Sequence, residues 1–229
     1  MSTHIGKSDP TLGREVEKWL ATKGLSTPTI DSLLKVEDGV KISTISRNVQ
    51  EIMTTLGMDL KDDSLMDTPS RVAKMYVKEL FWGLDSANFP KCTLVDNKFN
   101  YNNSFVLEQG ITVSSTCEHH FVAIDGKAAV AYIPGAKVLG LSKLNRIVQY
   151  FCRRPQVQER LTEQIAETIS FVTGSPDVAV FLDAAHFCVK TRGIQDANCS
   201  TTTLATRGRF ATADSEVRRE FLAIARSGK

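Results

Sequence analysis

The run Phe121-Val122-Ala123-Ile124-Asp125-Gly126-Lys127-Ala128-Ala129-Val130-Ala131-Tyr132-Ile133 decides the fold class. Its apolar residues come in two short blocks of strand-forming types, and Asp125-Gly126 between them has the composition of a two-residue hairpin turn. Strands are therefore expected over 121–124 and 127–133. Moving upstream, 105–107 and 111–115 have the same texture, and downstream 138–141 adds a further short strand.

Two helices follow these strands. Ser142 has the chemistry of an N-cap for a helix carrying Leu144, Ile147, Val148 and Phe151 on one side. Pro155 is expected to open the next, with Val157, Leu161, Ile165, Ile169 and Val172 inward and Gly174 at its end. Strands return at 178–182, 185–191 and 201–206, and a last helix from about Asp214 holds Val217, Phe221 and Ala225. Strands, a helical pair, then strands again is an α+β plan, with the helices covering one face of an antiparallel sheet.

Ahead of the strands, the first ninety residues read as helices. Asp9-Pro10 is an N-cap followed by proline at N1, Leu12, Val16, Trp19 and Leu20 recur at helical spacing, and Gly24 is a stop. Residues 25–40 read mainly as connection. A second helix places Ile42, Ile45, Val49, Ile52, Met53 and Leu56 on one stripe, ends at Gly57, and must pack that stripe on something. Thr68-Pro69 starts a third, with Val72, Met75, Tyr76 and Leu80 inward and Gly83 as C-cap; Arg71 and Lys74 share one side of its first turns.

The 229 residues are 42% apolar, enough for a sizeable core, with a formal net charge of +2. No apolar run approaches the roughly twenty residues needed to cross a bilayer, and Met1 to Pro10 is polar, so a cytoplasmic protein is expected. Five cysteines without regular spacing fit reduced thiols and a metal site better than a disulfide framework. Cys92 and Cys152 read as packing residues, and Cys199 has no assigned role. The charge is uneven: residues 127–209 carry eleven Lys or Arg against six Asp or Glu. That bias is too weak for a duplex nucleic-acid binder and suits a small polyanion.

Chemistry concentrates in two runs, Ser115-Thr116-Cys117-Glu118-His119-His120 and His186-Phe187-Cys188, which hold three of the four histidines and two of the five cysteines. A Cys-x-x-His turn lets one thiolate and one imidazole close on the same cation, and a remote cysteine supplies a third arm; zinc is the natural candidate. Three protein ligands leave the fourth tetrahedral position to water. A closed site of Cys117, His120, His186 and Cys188 is also conceivable, because residues two apart on a strand share a face. A zinc nucleobase deaminase is set aside, since neither His-x-Glu nor Pro-Cys-x-x-Cys occurs. A structural zinc module on nucleic acid would need a stronger basic face.

Four separated motifs, Thr116-Cys117-Glu118-His119-His120, Gly140-Leu141-Ser142-Lys143-Leu144-Asn145-Arg146, Arg154-Pro155-Gln156-Val157-Gln158-Glu159-Arg160-Leu161 and His186-Phe187-Cys188 with Arg192-Gly193, closely resemble GTP cyclohydrolase I of the bacterial type. Thr68-Pro69-Ser70-Arg71-Val72-Ala73-Lys74 belongs to the same match, which runs from about residue 40 to the C-terminus; the first forty residues resemble the family only loosely. The resemblance implies a tunnelling fold over 96–229, an antiparallel sheet with two helices on one face, preceded by a helical region over 1–95. It further implies a homodecamer of two pentamers, with active sites at subunit interfaces, and GTP as the substrate, converted to formate and 7,8-dihydroneopterin triphosphate for the folate pathway; from charge and the lack of a spanning run, neither nucleic acid nor membrane is expected as a partner.

The same resemblance assigns the residues. Cys117, His120 and Cys188 are implied as zinc ligands, which leaves His119, His186 and Ser142 for proton transfer. Glu159 is implied as the acceptor for the guanine N1 and N2 hydrogens, with Gln158 beside it; independently of the family, a first-turn glutamate is also favoured by the helix dipole. Lys143, Arg146 and Arg192 match phosphate contacts, and Arg71 and Lys74 match contacts reaching in from a neighbouring subunit. No glycine-rich phosphate loop is present.

Overall fold

Asp125 and Gly126 do not turn the chain. In the computed structural model, which describes residues 7–227, they lie inside one continuous strand. Residues 1–6, most of the polar stretch Met1 to Pro10, lie outside the described residues. The helical part comprises α1 (Pro10–Thr22), the single turn α2 (Asp31–Leu34), α3 (Asp38–Thr55) and α4 (Thr68–Met75). A π turn (Tyr76–Leu80) and 3-10 turns at Trp82–Leu84 and Ser86–Asn88 lead on to β1 (Leu94–Asp96), β2 (Val106–Cys117), β3 (Ala123–Tyr132) and β4 (Lys137–Leu139). Next come α5 (Leu141–Cys152), the two-residue β5 (Pro155–Gln156), α6 (Gln158–Thr173), β6 (Val178–His186), α7 (Phe187–Lys190), β7 (Thr201–Thr206) and α8 (Glu216–Ser227).

The five-stranded sheet has the order β5-β2-β3-β6-β7, antiparallel throughout except for β5, which runs parallel to β2. β1 and β4 form a separate pair. Period-2 alternation sends Ile111, Val113, Ile124, Ala128, Val130, Val180 and Leu182 to the face covered by α5 and α6. The odd residues Ala129, Ala131, Ala179 and Phe181 face the other way, against Phe210 and the α8 residues Phe221 and Ala225. With both faces buried, β3 reads as a near-continuous apolar run from Ala128 onward. The α+β plan holds, with α5 and α6 on one face as expected and α8 as an additional cover on the other.

Several local expectations change. Gly126 pairs with Ala184 of β6, where an added Cβ would stand 2.1 Å from the Asp183 carbonyl oxygen; glycine is there for strand approach. The β2–β3 reversal is made instead by 118–122, the metal-candidate turn. Gly83 is no C-cap: its N–H donates to the Arg153 carbonyl at 2.8 Å, and an added Cβ would meet Tyr150 O at 2.2 Å. The first turn of α5 is capped by Gly140 and not by Ser142. Pro155 pairs as a strand with Thr116, so α6 begins only at Gln158. Beyond His186 the chain turns into α7, so His186 and Cys188 do not share a strand face.

Other signals act as read. The Asp9 carboxylate accepts from Leu12 N at 3.0 Å with Pro10 at the start of α1, and α1, α3 and α6 stop next to Gly24, Gly57 and Gly174. The stripe on α3 finds only half a partner: Met53 is buried against the rest, whereas Ile52 and Leu56 stay exposed.

Candidate active site

Three strand ends meet at one edge of the sheet. β2 finishes at Cys117, β3 starts opposite it with Thr116 paired to Ala123, and β6 ends at His186 opposite Ile124. β5 adds Gln156 alongside Cys117. The turn between β2 and β3 is closed by two backbone bonds, Cys117 N–H to Val122 O at 2.8 Å and Phe121 N–H to Cys117 O at 2.9 Å. Phe121 takes a left-handed backbone, φ +52°, and its ring packs with Tyr76 and Phe81 of the helical region.

Within this framework Cys117, His120 and Cys188 each offer one ligand atom, and these atoms lie within 4.8 Å of one another. The two sulfurs are 3.8 Å apart. That is far beyond a disulfide bond and equals the edge of a tetrahedron whose centre is about 2.3 Å from each sulfur, the zinc–thiolate length. Burial, then the neighbouring Cys117 thiol, raises the pKa of Cys188; a cation taking both sulfurs as thiolates removes that opposition. Cys117 is buried, Cys188 half-buried and His120 exposed. The residues fit zinc by donor type and by spacing, and among the described residues the group numbers three. A fourth position open to solvent is the pattern of a catalytic ion.

The group does not include His186, whose Nε2 stands 2.7 Å from Gln158 Oε1. The Gln158 amide is oriented by its other end, where Nε2 donates to Thr201 O at 2.8 Å and Thr203 Oγ1 at 3.1 Å. Its Oε1 therefore accepts, so His186 carries a proton on Nε2 and leaves Nδ1 for exchange. Burial lowers the His186 pKa, and Glu159 nearby acts in the opposite sense. Gln158, expected beside the substrate, is thus buried with its amide committed to β7 and His186. His119 is exposed with Nδ1 3.7 Å from Cys117 Sγ, and an Arg192 N–H donates to His120 Nε2 over 2.6 Å.

The remaining expected residues stand apart. Among the described residues no hydrogen bond or ion pair joins Ser142, Lys143, Arg146, Arg71 or Lys74 to this cluster. Asn145, in the first turns of α5, bonds to Glu108 at 3.3 Å, which puts that end of α5 nine strand residues, roughly 30 Å, from Cys117 along β2. Arg71 pairs with Asp67 on the exposed side of α4. A cavity of about 520 Å³ between α2, α3 and the segment 76–88 contains none of the candidate residues.

Sequence reading missed Glu118 and Arg160, which form an ion pair across 42 positions, and Gln156, which accepts from Arg160 Nε at 3.1 Å. No local pattern couples residues so far apart in the chain.

The GTP cyclohydrolase I family model matches residues 45–226. The chain is 51% identical over 220 residues to the GTP cyclohydrolase 1 proteins of Salmonella arizonae and Salmonella paratyphi B, an alignment that takes in 95% of this chain and 98% of each relative. The chain belongs to the GTP cyclohydrolase I family. All thirteen candidate residues fall inside the matched GTP cyclohydrolase I region. At 95% coverage the relatives' likeness also takes in most of the first forty residues, further than the motifs alone reached. The architecture, two helices on one face of an antiparallel sheet with helices ahead of it, is the tunnelling fold expected for a GTP cyclohydrolase I. A looser likeness is to the apo crystal structure of an archaeosine synthase QueF-like protein, 20% identical with a TM-score of 0.39 over 46% of this chain and 94% of that one.

Proposed function

We propose that this enzyme converts GTP and water to formate and 7,8-dihydroneopterin triphosphate, the entry step of tetrahydrofolate synthesis, with zinc held by Cys117, His120 and Cys188. The observation that carries the reading is the pair of sulfurs 3.8 Å apart, completed by His120, in a chain of this family. Bound zinc would supply Lewis acidity and would bring the pKa of a coordinated water from about 15.7 to about 7.

The chain's own groups do the rest. Addition of water at C8 pushes electrons toward N7, and His119, exposed beside Cys117, delivers the proton that N7 takes up. His186, with Nε2–H held by Gln158, offers Nδ1 for proton transfer at C8, and the Ser142 hydroxyl serves the ribose as it rearranges. Glu159, exposed at the start of α6, accepts from the guanine N1 and N2 hydrogens. Adenine would leave that carboxylate unpaired, a penalty that grows as assembly removes Glu159 from water. Arg192, Lys143, Arg146, Arg71 and Lys74 hold the triphosphate through charge-assisted bonds.

These groups come together between subunits of a homodecamer. The roughly 30 Å separating the start of α5 from Cys117, the half-covered stripe of α3 and the open edge at β7 all support that assembly. Its helical region is proposed over 1–95 and its catalytic unit over 96–229, a boundary that β1 (Leu94–Asp96) straddles. Five free cysteines suit the reducing cytoplasm, and no helix among the described residues is long and apolar enough to cross a membrane. Incubating zinc-loaded protein with GTP and oxidising the products should give pterin fluorescence; no fluorescence from the assembled enzyme rejects the reading.

A further inference from the structure

We propose that Arg160 is a positioning residue for the metal turn, acting through Glu118 and anchored in turn on the segment that follows α1. The inference rests on the zinc reading above. A turn with a non-glycine residue at φ +52° is strained and persists only where its surroundings hold it. Glu118, between the ligands Cys117 and His120, is the part of the turn that is held. Its N–H donates to Gln156 O at 3.0 Å, and its carboxylate pairs with Arg160 Nη2.

Arg160 is fixed in turn by two further partners. The same Nη2 reaches Pro155 O at 3.2 Å, and Nε donates to Gln156 Oε1 at 3.1 Å. From there a chain of side-chain bonds runs in one direction. Gln156 Nε2 donates to Gln164 Oε1 at 2.8 Å, and Gln164 Nε2 donates to Leu25 O at 2.7 Å and Thr27 Oγ1 at 3.3 Å. Gln156 and Gln164 are fully buried, so neither amide can flip without stranding a donor in the core. The orientation of Glu118, and with it the spacing of Cys117 and His120, is thereby tied to residues 25–27. These have no other part in the chemistry. A guanidinium suits the position because only its planar fork can serve the carboxylate, the Pro155 carbonyl and the Gln156 amide together.

The test is zinc affinity, measured by competition with a chromophoric chelator on the assembled protein, with the absorption of the cobalt(II)-substituted form as a record of ligand geometry. Glu118→Gln and Arg160→Met should each weaken zinc binding about 10-fold or more and alter the cobalt bands. Arg160→Lys should recover part of the loss, and the double variant should be no worse than the poorer single variant, because both act on one contact. Should Arg160→Met fail to fold, Glu118→Gln, which changes one half-buried carboxyl, decides alone. Zinc affinity within twofold of the parent and unchanged cobalt bands in Glu118→Gln, or additive losses in the double variant, would overturn the proposal. A parent chain that takes no zinc would instead bring down the metal reading itself.

Discussion

Cys117, His119, His120, His186 and Cys188 crowd one sheet edge, yet their surroundings separate their roles. Cys117 and Cys188 share a 3.8 Å contact that a cation or thiol protons can satisfy, and burial leaves Cys188 disposed to keep its proton without a cation. His119 is exposed and touches the cluster only through the weak contact of Nδ1 with Cys117 Sγ. Removing a ligand and removing a proton donor should therefore be distinguishable. Cys188→Ala is expected to lose zinc and turnover together, whereas His119→Ala should keep its zinc and lose about 10²- to 10⁴-fold in rate. Metal analysis beside GTP turnover checks this; equal zinc loss in both variants would show that His119 is a ligand. The group that could hold a metal was legible in part from sequence, since a Cys-x-x-His turn and a distant cysteine name its donors. Whether His186 joined them was open, because its placement depends on Gln158, whose amide is held by Leu182 on β6 and by Thr201 and Thr203 on β7.

At the scale of the element, helices were the more legible part, because their punctuation is local. Asp9-Pro10 starts α1, Thr68-Pro69 starts α4, and Gly174 follows α6 as the chemistry of those residues dictates. Errors fall where a residue serves a neighbour distant in sequence. Asp125-Gly126 has the composition of a turn, but Gly126 is required by the Asp183 carbonyl and Ala184 on the adjacent strand. Pro155 resembles a helix start, yet it pairs with Thr116 and pushes the start of α6 to Gln158, which lets the Gln158 and Glu159 side chains address the His186 side of the sheet. Gly126→Ala tests the account of β3. The added Cβ meets the β6 backbone at Asp183 and Ala184 and no flexible atom it could displace, so the strands must part; a loss of about 2–4 kcal/mol is expected from overpacking and disrupted ladder bonds. Chemical denaturation measures it, and a loss below about 0.5 kcal/mol, the size of an ordinary surface change, would show that β3 and β6 are not packed as closely as described.

For the whole molecule, the division of residues between the two ends of the sheet is the decisive feature. The metal group occupies the end where β2 finishes, while Lys143 and Arg146 start α5 near Glu108 at the other, so one chain cannot place both on a single triphosphate substrate. α5 returns along β2 and delivers the chain to Pro155 beside Thr116, which fixes the separation as a property of the fold and not of any flexible segment. If the site is completed by a neighbouring copy, two kinds of damaged chain should repair each other. Cys188→Ala and Lys143→Ala are each expected to be inactive as pure oligomers. In a one-to-one mixture, dissociated and reassembled, a junction works when its metal end comes from the Lys143 variant and its phosphate end from the Cys188 variant; random closed-ring assembly makes that about one junction in four. Activity near a quarter of the parent enzyme, appearing only after reassembly, is the expected outcome. Should the mixture stay as inactive as its components while native mass measurement shows mixed oligomers, both ends of the site must belong to one chain, and Lys143 must reach its substrate by a movement of α5 that the packing against β2 does not allow.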